Sequence, residues 1–169
     1  RYINQDIALV KLRESIGLKT GWTGIAFSAV DTFFQHNVFH KFSYPGTVDL
    51  SDSTRVFNGD TLYYNYGTLD VVEPIFLGYN IFGIRGQSGS SLFYTDNERF
   101  YAVGTLAFAE QSKHTRVTRG LYYAFKSVLD DVTTWVERER VVPQLYDLAP
   151  PIQTRSILQP RLGFRFRRM

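Results

Sequence analysis

The sequence contains no cysteine and no long apolar run, and each absence excludes a class of protein. Without cysteine, the chain forms neither a disulfide scaffold nor a thiolate metal site. No segment reaches the roughly 18 consecutive apolar residues of a membrane-spanning helix. The polar residues that follow Arg1 do not resemble a secretory signal peptide. Since no initiator methionine is present, we expect that the gene starts upstream of Arg1.

Positive charge is scarce outside the C-terminal segment. The 169 residues carry a formal net charge of +3, and residues 150–169 contain five arginines and no acidic residue. Subtracting those five charges from +3 leaves −2 for the rest of the chain. A nucleic-acid-binding domain normally carries a basic stripe on its folded surface, so we predict no nucleic-acid partner. The arginines favour a solvated terminus over a contact with an acidic partner or a membrane surface.

Short apolar and aromatic segments separated by turn residues predict an all-β fold. Asn58-Gly59-Asp60 predicts a hairpin that joins residues 54–57 to 61–66. Asp96-Asn97-Glu98 predicts a second turn. The remaining predicted strands are residues 7–12, 37–43, 74–82, 91–94, 101–108 and 120–125. Regular spacing of short strands is typical of an antiparallel barrel or sandwich.

One segment has the periodicity of a helix instead of a strand. Apolar residues recur at i, i+3, i+4, i+7, i+10 and i+11 from Phe125. This pattern predicts an amphipathic helix that ends before Pro143. Further prolines follow Pro143, so residues 141–169 are predicted to form an extended tail.

The most informative motif is Gly86-Gln87-Ser88-Gly89-Ser90. The nucleophile elbow of α/β-hydrolases, Gly-x-Ser-x-Gly, does not fit, because the second glycine follows Ser88 directly. The motif instead resembles the nucleophile loop of chymotrypsin-like serine proteases, Gly-x-Ser-Gly. Glycine two residues before the serine lets the backbone turn so that two amide N–H groups can face one oxyanion.

Other segments resemble landmarks of the same family, in the same order along the chain. Residues 6–12 resemble the segment that holds the catalytic aspartate, about 80 residues before the serine. Residues 20–24, 43–46 and 79–80 resemble landmarks of the glutamyl endopeptidase branch. Residues 102–106 resemble the strand that walls the substrate pocket, residues 120–122 the next strand, and residues 125–139 the C-terminal helix.

The resemblance to this family implies a fold and a domain organisation. The chain is expected to be the second of two antiparallel β-barrels, with six strands, closed by a C-terminal helix. Residues 1–18 would supply the last strand of the first barrel and the inter-barrel linker. Residues 19–140 would form the second barrel and its helix, and residues 141–169 a Pro/Arg-rich tail.

The resemblance also implies roles for individual residues in serine endopeptidase chemistry. Ser88 would be the nucleophile, Asp6 would orient the catalytic histidine, and the Gly86 and Ser88 amides would hold the oxyanion. The mechanism needs no metal and no organic cofactor. The residues that match the substrate pocket are Phe82, Arg85, Leu106, Ala107, Phe108, Ala109 and Gly120.

Four positions depart from the family pattern or qualify it. Gln87 stands where trypsin-like members that activate through a new N-terminus have aspartate, and an amide there fits the branch. Leu106 stands where glutamyl endopeptidases carry a pocket histidine, and Phe82 matches the pocket floor. A shallow apolar pocket, not one for glutamate, is therefore expected. Arg85 at the pocket mouth is either a substrate contact or an exposed loop arginine.

The catalytic histidine of the family would precede Asp6 and so lies outside this sequence. His36 and His40 are predicted on one strand, too far apart to share a metal ion, and His114 in a polar loop. None matches the position of the base. We therefore expect a fragment whose partner is the N-terminal half of the same protease, with a peptide or protein as substrate. The resemblance favours a secreted or periplasmic location. The alternative is a catalytically inactive homologue acting as a binding or scaffold module.

Overall fold

The computed structural model describes residues 6–10, 12–14, 16–46, 56–136, 145–147 and 167–168. Three helices lie in these ranges: α1 (Gly17–Thr20), α2 (Asp31–His36) and α3 (Arg119–Val136). The strands are β1 (Gly24–Phe27), β2 (Phe39–Ser43), β3 (Tyr63–Gly67), β4 (Leu69–Val72), β5 (Phe76–Tyr79), β6 (Ser91–Asp96), β7 (Arg99–Phe108), β8 (Lys113–Arg116), β9 (Leu145–Asp147) and β10 (Arg167–Arg168). No helix in this part of the chain is long and apolar enough to cross a lipid bilayer.

Seven of these strands form one curled antiparallel sheet, in the order β3-β2-β6-β7-β8-β5-β4. The sheet is a half-barrel followed by α3, so the structure is mostly β, and the coarse fold class predicted from the sequence is confirmed. β1 pairs with β7 in parallel, and β9 and β10 add parallel pairs to β1 and β3. Closure into a six-strand barrel remains a prediction.

The turn between β6 and β7 is the one predicted from Asp96-Asn97-Glu98. Asn97 and Glu98 both have positive φ angles, 47° and 65°. Two consecutive left-handed residues match the twist of an antiparallel hairpin. The register pairs Asp96 with Arg99 directly across this turn. The hairpin places β7 beside β6, and β7 in turn pairs with β8.

Aromatic rings from α2 fill the core. Phe33 and Phe34 are buried, with ring centroids 5.1 Å apart, and Phe33 lies 4.8 Å from Tyr94 on β6. Phe39, at the start of β2, is also buried and packs against Phe33 and Phe34. Burying a large ring stabilises a fold by roughly 1.5–3 kcal/mol. The packing of α2, a helix that the sequence analysis did not predict, therefore joins the segment before β2 to the buried core of the sheet.

The predicted strand over residues 7–12 is wrong within the described residues. Residues 6–10 have no regular structure, and Val10 and Leu12 are 74% and 58% exposed. A strand forms only where a neighbour accepts and donates its backbone hydrogen bonds. The sheet of the described residues offers this segment no such neighbour.

Two further predictions are corrected by the backbone pairing. Val56 is an isolated bridge residue, β3 begins only at Tyr63, and the Gly59 N–H donates to the Pro45 carbonyl at 2.9 Å. The described residues 56–62 therefore do not form the tight two-strand hairpin predicted around Asn58. Residues 54 and 55 lie outside the described residues. The segment predicted as a strand over 120–125 belongs to α3.

The predicted amphipathic helix is confirmed, but it begins at Arg119. The Thr118 hydroxyl accepts a hydrogen bond from the Leu121 N–H at 3.3 Å, which caps the helix seven residues before Phe125. Tyr122 packs on Phe27 of β1 with centroids 4.7 Å apart. The first turn of α3 therefore packs against β1 of the sheet. The predicted tail mostly lies outside the described residues.

Candidate functional site

The loop between β5 and β6 contains two consecutive tight turns that present Ser88. In the first, the Gln87 N–H donates to the Ile84 carbonyl at 3.1 Å, and in the second, the Ser90 N–H donates to the Gln87 carbonyl at 3.0 Å. The third residue of each turn is a glycine with positive φ, Gly86 at 93° and Gly89 at 85°. A turn with this geometry favours glycine there. Ser88 sits at the exposed second position of the second turn.

Gly86 is required for steric reasons as well. A Cβ atom at this position would lie 2.6 Å from the Gly46 nitrogen and 3.1 Å from the Tyr44 carbonyl oxygen. The Gly46 N–H also donates to the Arg85 carbonyl at 2.9 Å. The loop is therefore pressed against residues 44–46. Around Gly89, by contrast, a Cβ would meet no atom within 4 Å, so the side of the loop next to Ser88 is open.

Two backbone N–H groups of this loop, those of Gly86 and of Ser88 itself, have no acceptor in the described part of the chain. The carbonyl of Arg85 is bonded to Gly46 and that of Gln87 to Ser90. A trans peptide directs its N–H opposite to its carbonyl, so the Gly86 and Ser88 N–H groups point away from those two partners. Neither N–H donates to another described residue. Two backbone N–H groups that lack an acceptor, next to an exposed hydroxyl, can bind an anionic oxygen.

Gln87 anchors the loop from inside. Its side chain is buried, with Oε1 accepting from the Ile84 N–H at 2.7 Å and Nε2 donating to the Ser43 hydroxyl at 2.8 Å. Lys41 Nζ lies 3.4 Å from the same Oε1. The side-chain amide of Gln87 therefore has a structural role that the sequence did not reveal.

Asp6 and the Ser88 loop both attach to the β7–β8 hairpin. The Asp6 carbonyl accepts from the Thr115 hydroxyl at 3.3 Å, and Thr115 pairs with Thr105. One residue along β7, the Leu106 carbonyl accepts from the Gly89 N–H at 2.9 Å. The Asp6 side chain is exposed. The structure thus brings the backbones of the predicted aspartate and serine segments to one hairpin, and no hydrogen bond joins the two side chains.

The predicted pocket residues lie on four elements: the loop itself, β7, the turn that follows β7, and α3. Phe82 and Phe108 are 45% and 37% exposed, whereas Leu106 and Ala109 are buried. Gly83 packs against the Ala109 backbone so closely that a side chain would collide with it. Ala107 is a bulge residue of β7. The last predicted pocket residue, at position 120, is in the first turn of α3.

Arg85 forms an ion pair across the loop surface. Its Nε and Nη2 atoms donate to Glu110 Oε1 at 3.2 and 2.9 Å, and both side chains are mostly exposed. Glu110 follows β7 directly, in a 3-10 turn over Ala109–Gln111. Exposed ion pairs contribute little stability. The contact does, however, place an opposite charge beside the arginine at the predicted pocket mouth.

His40 lies on a strand as predicted, whereas His36 and His114 lie on other elements than those predicted. His36 is exposed at the end of α2, so it does not share a strand with His40 on β2. His40 is buried, Nδ1 is 2.7 Å from the Tyr64 hydroxyl, and burial lowers its pKa. His114 lies wholly buried on β8, where burial lowers its pKa to about 3. None of them contacts Ser88 in the described residues.

The main residue that sequence reasoning missed is Lys41. It is wholly buried on β2, and burial lowers its pKa to about 8. Its ammonium lies 5.4 Å from the centroid of the Tyr79 ring. The only signal in the sequence is its alternation with Phe39 and Ser43, which marks one face of the strand.

Over the described ranges, no three His, Asp or Glu side chains are grouped closely enough to hold a metal ion. No model of a known protein family matches the chain, and a search of curated proteins finds no similar sequence.

Proposed function

We propose that this chain is the nucleophile-bearing part of a serine endopeptidase. The observation that carries the proposal is the double turn at 84–90. It exposes Ser88 beside two backbone N–H groups that have no acceptor among the described residues, while the buried Gln87 side chain is hydrogen-bonded to Ile84 and Ser43. The left-handed Gly86, the steric need for glycine there and the open space at Gly89 support the same reading.

In the proposed reaction, Ser88 Oγ bonds to the scissile carbonyl carbon and its proton passes to a histidine outside this chain. The Gly86 and Ser88 amides stabilise the negative oxygen. The C–N bond then breaks, and the histidine returns the proton to the leaving amine. Water then attacks the carbonyl carbon of the resulting ester, and the histidine accepts a proton from the water and donates it to Ser88 Oγ. This step releases the acid and regenerates Ser88. The Asp6 carboxylate would hold the histidine in the required tautomer.

A peptide substrate would lie along the end of β7. On the β6 side, the strand register ends at Ser91 with Thr105, and the last backbone bonds join Leu106 to Gly89 and Ser90. Beyond them, Ala107 is unpaired in the register with β8. The backbone of residues 107–108 could therefore pair with an extended peptide, as a sheet edge does. The exposed ring of Phe82 and the buried Leu106 make the nearby surface apolar.

We predict that the Arg85–Glu110 ion pair suppresses selection for acidic substrates. The wild-type enzyme should prefer a small or moderately apolar residue before the cleaved bond. Glu110→Gln should raise kcat/KM for glutamate-containing peptides relative to alanine-containing ones by roughly two- to fivefold, the size of one exposed charge contact. Peptide-library profiling measures this ratio.

Matched variants separate this effect from a general change of charge. Glu98→Gln, in the β6–β7 turn, removes the same charge elsewhere and should leave the ratio unchanged. Arg85→Ala combined with Glu110→Gln should cancel the gain. Strong glutamate selection that survives Arg85→Ala would contradict the apolar-pocket argument.

The proposed partner is the N-terminal half of the same protease. Leu9, Val10, Leu12 and Trp22 precede the half-barrel and are all at least 40% exposed. Apolar side chains exposed in succession are typical of a surface that packs against another body. This arrangement supports a second barrel before this chain.

The second candidate function is a catalytically inactive homologue that serves as a binding or scaffold module. The observation that favours it is that no histidine of this chain contacts Ser88. The reading frame upstream of Arg1 distinguishes the two. A histidine beside small residues some tens of positions before Asp6 supports the enzyme, and a complete upstream barrel without one supports the module.

The proposed function is tested by covalent labelling of the full-length protein with a fluorophosphonate probe. We expect one modified peptide, with the phosphonyl group on Ser88, because only an activated hydroxyl displaces the probe's fluoride at a useful rate. Ser88→Ala should abolish the labelling. Labelling at another serine, or equal labelling of Ser88→Ala, would reject the assignment.

A further inference from the structure

We infer that Lys41 and Gln87 are positioning residues: the buried Lys41 ammonium holds the Gln87 amide, and Gln87 sets the two backbone N–H groups beside Ser88. This inference rests on the proposed function, since it assigns those N–H groups a role in hydrolysis. Its geometric basis, however, is independent of any activity.

Lys41 occupies an unusual position for a lysine. It lies on β2 between β3 and β6, opposite Asn65 and Leu92, and no part of it is exposed. Its Nζ reaches Gln87 Oε1 at 3.4 Å and lies over the Tyr79 ring. Lysine is almost never fully buried unless it is paired. The acceptor it has found is the side chain of the residue directly before Ser88.

Gln87 links this ammonium to the backbone of the loop. The same Oε1 accepts from the Ile84 N–H at 2.7 Å, and Nε2 donates to the Ser43 hydroxyl. Gln87 also belongs to both turns, as the last residue of the first and the first residue of the second. Its position therefore sets the plane of the Gln87–Ser88 peptide, which carries the Ser88 N–H. By closing the first turn onto Ile84, it also holds the Arg85–Gly86 peptide inside that turn, and this peptide carries the Gly86 N–H.

The ammonium is kept at a cost to stability. No carboxylate is among its contacts in the part of the chain that the structure describes. The titratable groups that face it are His114 and Tyr79. Both are neutral near pH 7, because the His114 pKa is lowered to about 3 and burial raises the Tyr79 pKa. An apolar side chain of similar length is usually less costly than an unpaired buried charge, so Lys41 indicates a role other than stability.

The pH dependence has a definite sign. Because burial lowers the Lys41 pKa from 10.5 to about 8, the unfolded chain binds a proton between these values that the folded chain does not. The Lys41 contribution to unfolding free energy therefore rises from about pH 8 to about pH 10.5. His114 binds no proton in either state over this range. The raised Tyr79 pKa opposes the rise near pH 10, where the unfolded chain loses the Tyr79 proton first.

The test compares Lys41→Met with the full-length wild-type protein in three measurements. We expect a higher Tm at pH 7 and loss of the rise in Tm between pH 8 and pH 10.5. We expect displaced amide resonances of Gly86 and Ser88 in spectra of glycine- and serine-labelled protein. We also expect kcat to fall by roughly ten- to a hundredfold, with KM within about twofold.

Two matched variants complete the experiment. Lys113→Met removes a half-buried lysine whose Nζ lies 6.0 Å from the Phe76 ring, and it should change none of the loop resonances. Gln87→Glu gives Lys41 a carboxylate partner, so it should raise the lysine pKa and keep the ammonium in place. The rise in Tm from pH 8 should then disappear while the Gly86 and Ser88 resonances stay near their wild-type positions.

The outcomes separate this inference from the proposed function. Unchanged Gly86 and Ser88 resonances in Lys41→Met overturn the inference, whatever the activity. Displaced resonances with unchanged kcat overturn it as well, and lowered Tm with lowered kcat reduces Lys41 to a structural role. Should Lys41→Met fail to fold, Gln87→Glu decides by the same resonances. Displaced resonances without hydrolysis by the wild type reject only the proposed function.

Discussion

Replacing Ser88 with alanine in the full-length protein is expected to lower kcat/KM for peptide hydrolysis by about 10⁴- to 10⁶-fold. The change removes the group that forms the covalent bond to the substrate in the proposed reaction. The Gly86 and Ser88 N–H groups and the binding surface remain. They account for a residual rate of roughly 10³–10⁴ over water. Steady-state kinetics on a peptide chosen from the library profile measure the loss.

The fold should not change with this substitution. Ser88 is exposed, and its side chain makes no hydrogen bond within the described residues, so Tm should remain within about 1 °C. Ser127→Ala is the matched control, since Ser127 is an exposed serine on α3 whose hydroxyl donates to the Ala124 carbonyl at 2.8 Å. Full activity of Ser88→Ala would exclude Ser88 as the nucleophile.

Replacing Asp6 with asparagine is expected to lower kcat by about 10⁴-fold, the loss seen when a protease histidine is held in the wrong tautomer. The carboxylate would accept the histidine Nδ1–H and stabilise the charged imidazolium, and an amide does neither equally well. The Asp6 backbone is held by the Thr115 hydroxyl, a bond that asparagine leaves intact. Kinetics as a function of pH measure the loss and show whether activity now requires a higher pH.

Asp70→Asn provides the comparison, because Asp70 is an exposed aspartate on β4. It should retain wild-type activity. An Asp6→Asn protein that keeps more than about a tenth of the wild-type kcat would show that Asp6 does not orient the base. The proposal would then lose its aspartate while Ser88 retained its assignment.

The parts of the structure that sequence reasoning predicted are those encoded by neighbouring residues. Asn97 and Glu98 form a turn because two left-handed residues suit a tight hairpin. Most strands and the body of α3 follow from local periodicity. The Gly-x-Ser-Gly motif likewise predicted where glycine would be required, and Gly86 and Gly89 have the positive φ angles that explain it.

The errors arose where residues outside the predicted segment decided its structure. Residues 7–12 have a strand pattern but no neighbouring strand, and residues 120–125 became helical because Thr118 caps them. Around Asn58, the bond from Gly59 to Pro45 replaced a hairpin. In each case a local preference of a few tenths of a kcal/mol to about 1 kcal/mol was outweighed by pairing or capping.

The sequence by itself determined the β character of the chain, the turn at Asn97 and the glycines around Ser88, because these depend on the conformations open to a few adjacent residues. Only the tertiary structure decided that Lys41 lies inside the sheet beneath Gln87. β2 carries aromatic residues on both faces, with Phe39 on the side of Lys41 and Phe42 on the other. Alternation therefore could not select the buried face, and the strand order, which joins segments distant in the chain, made that choice.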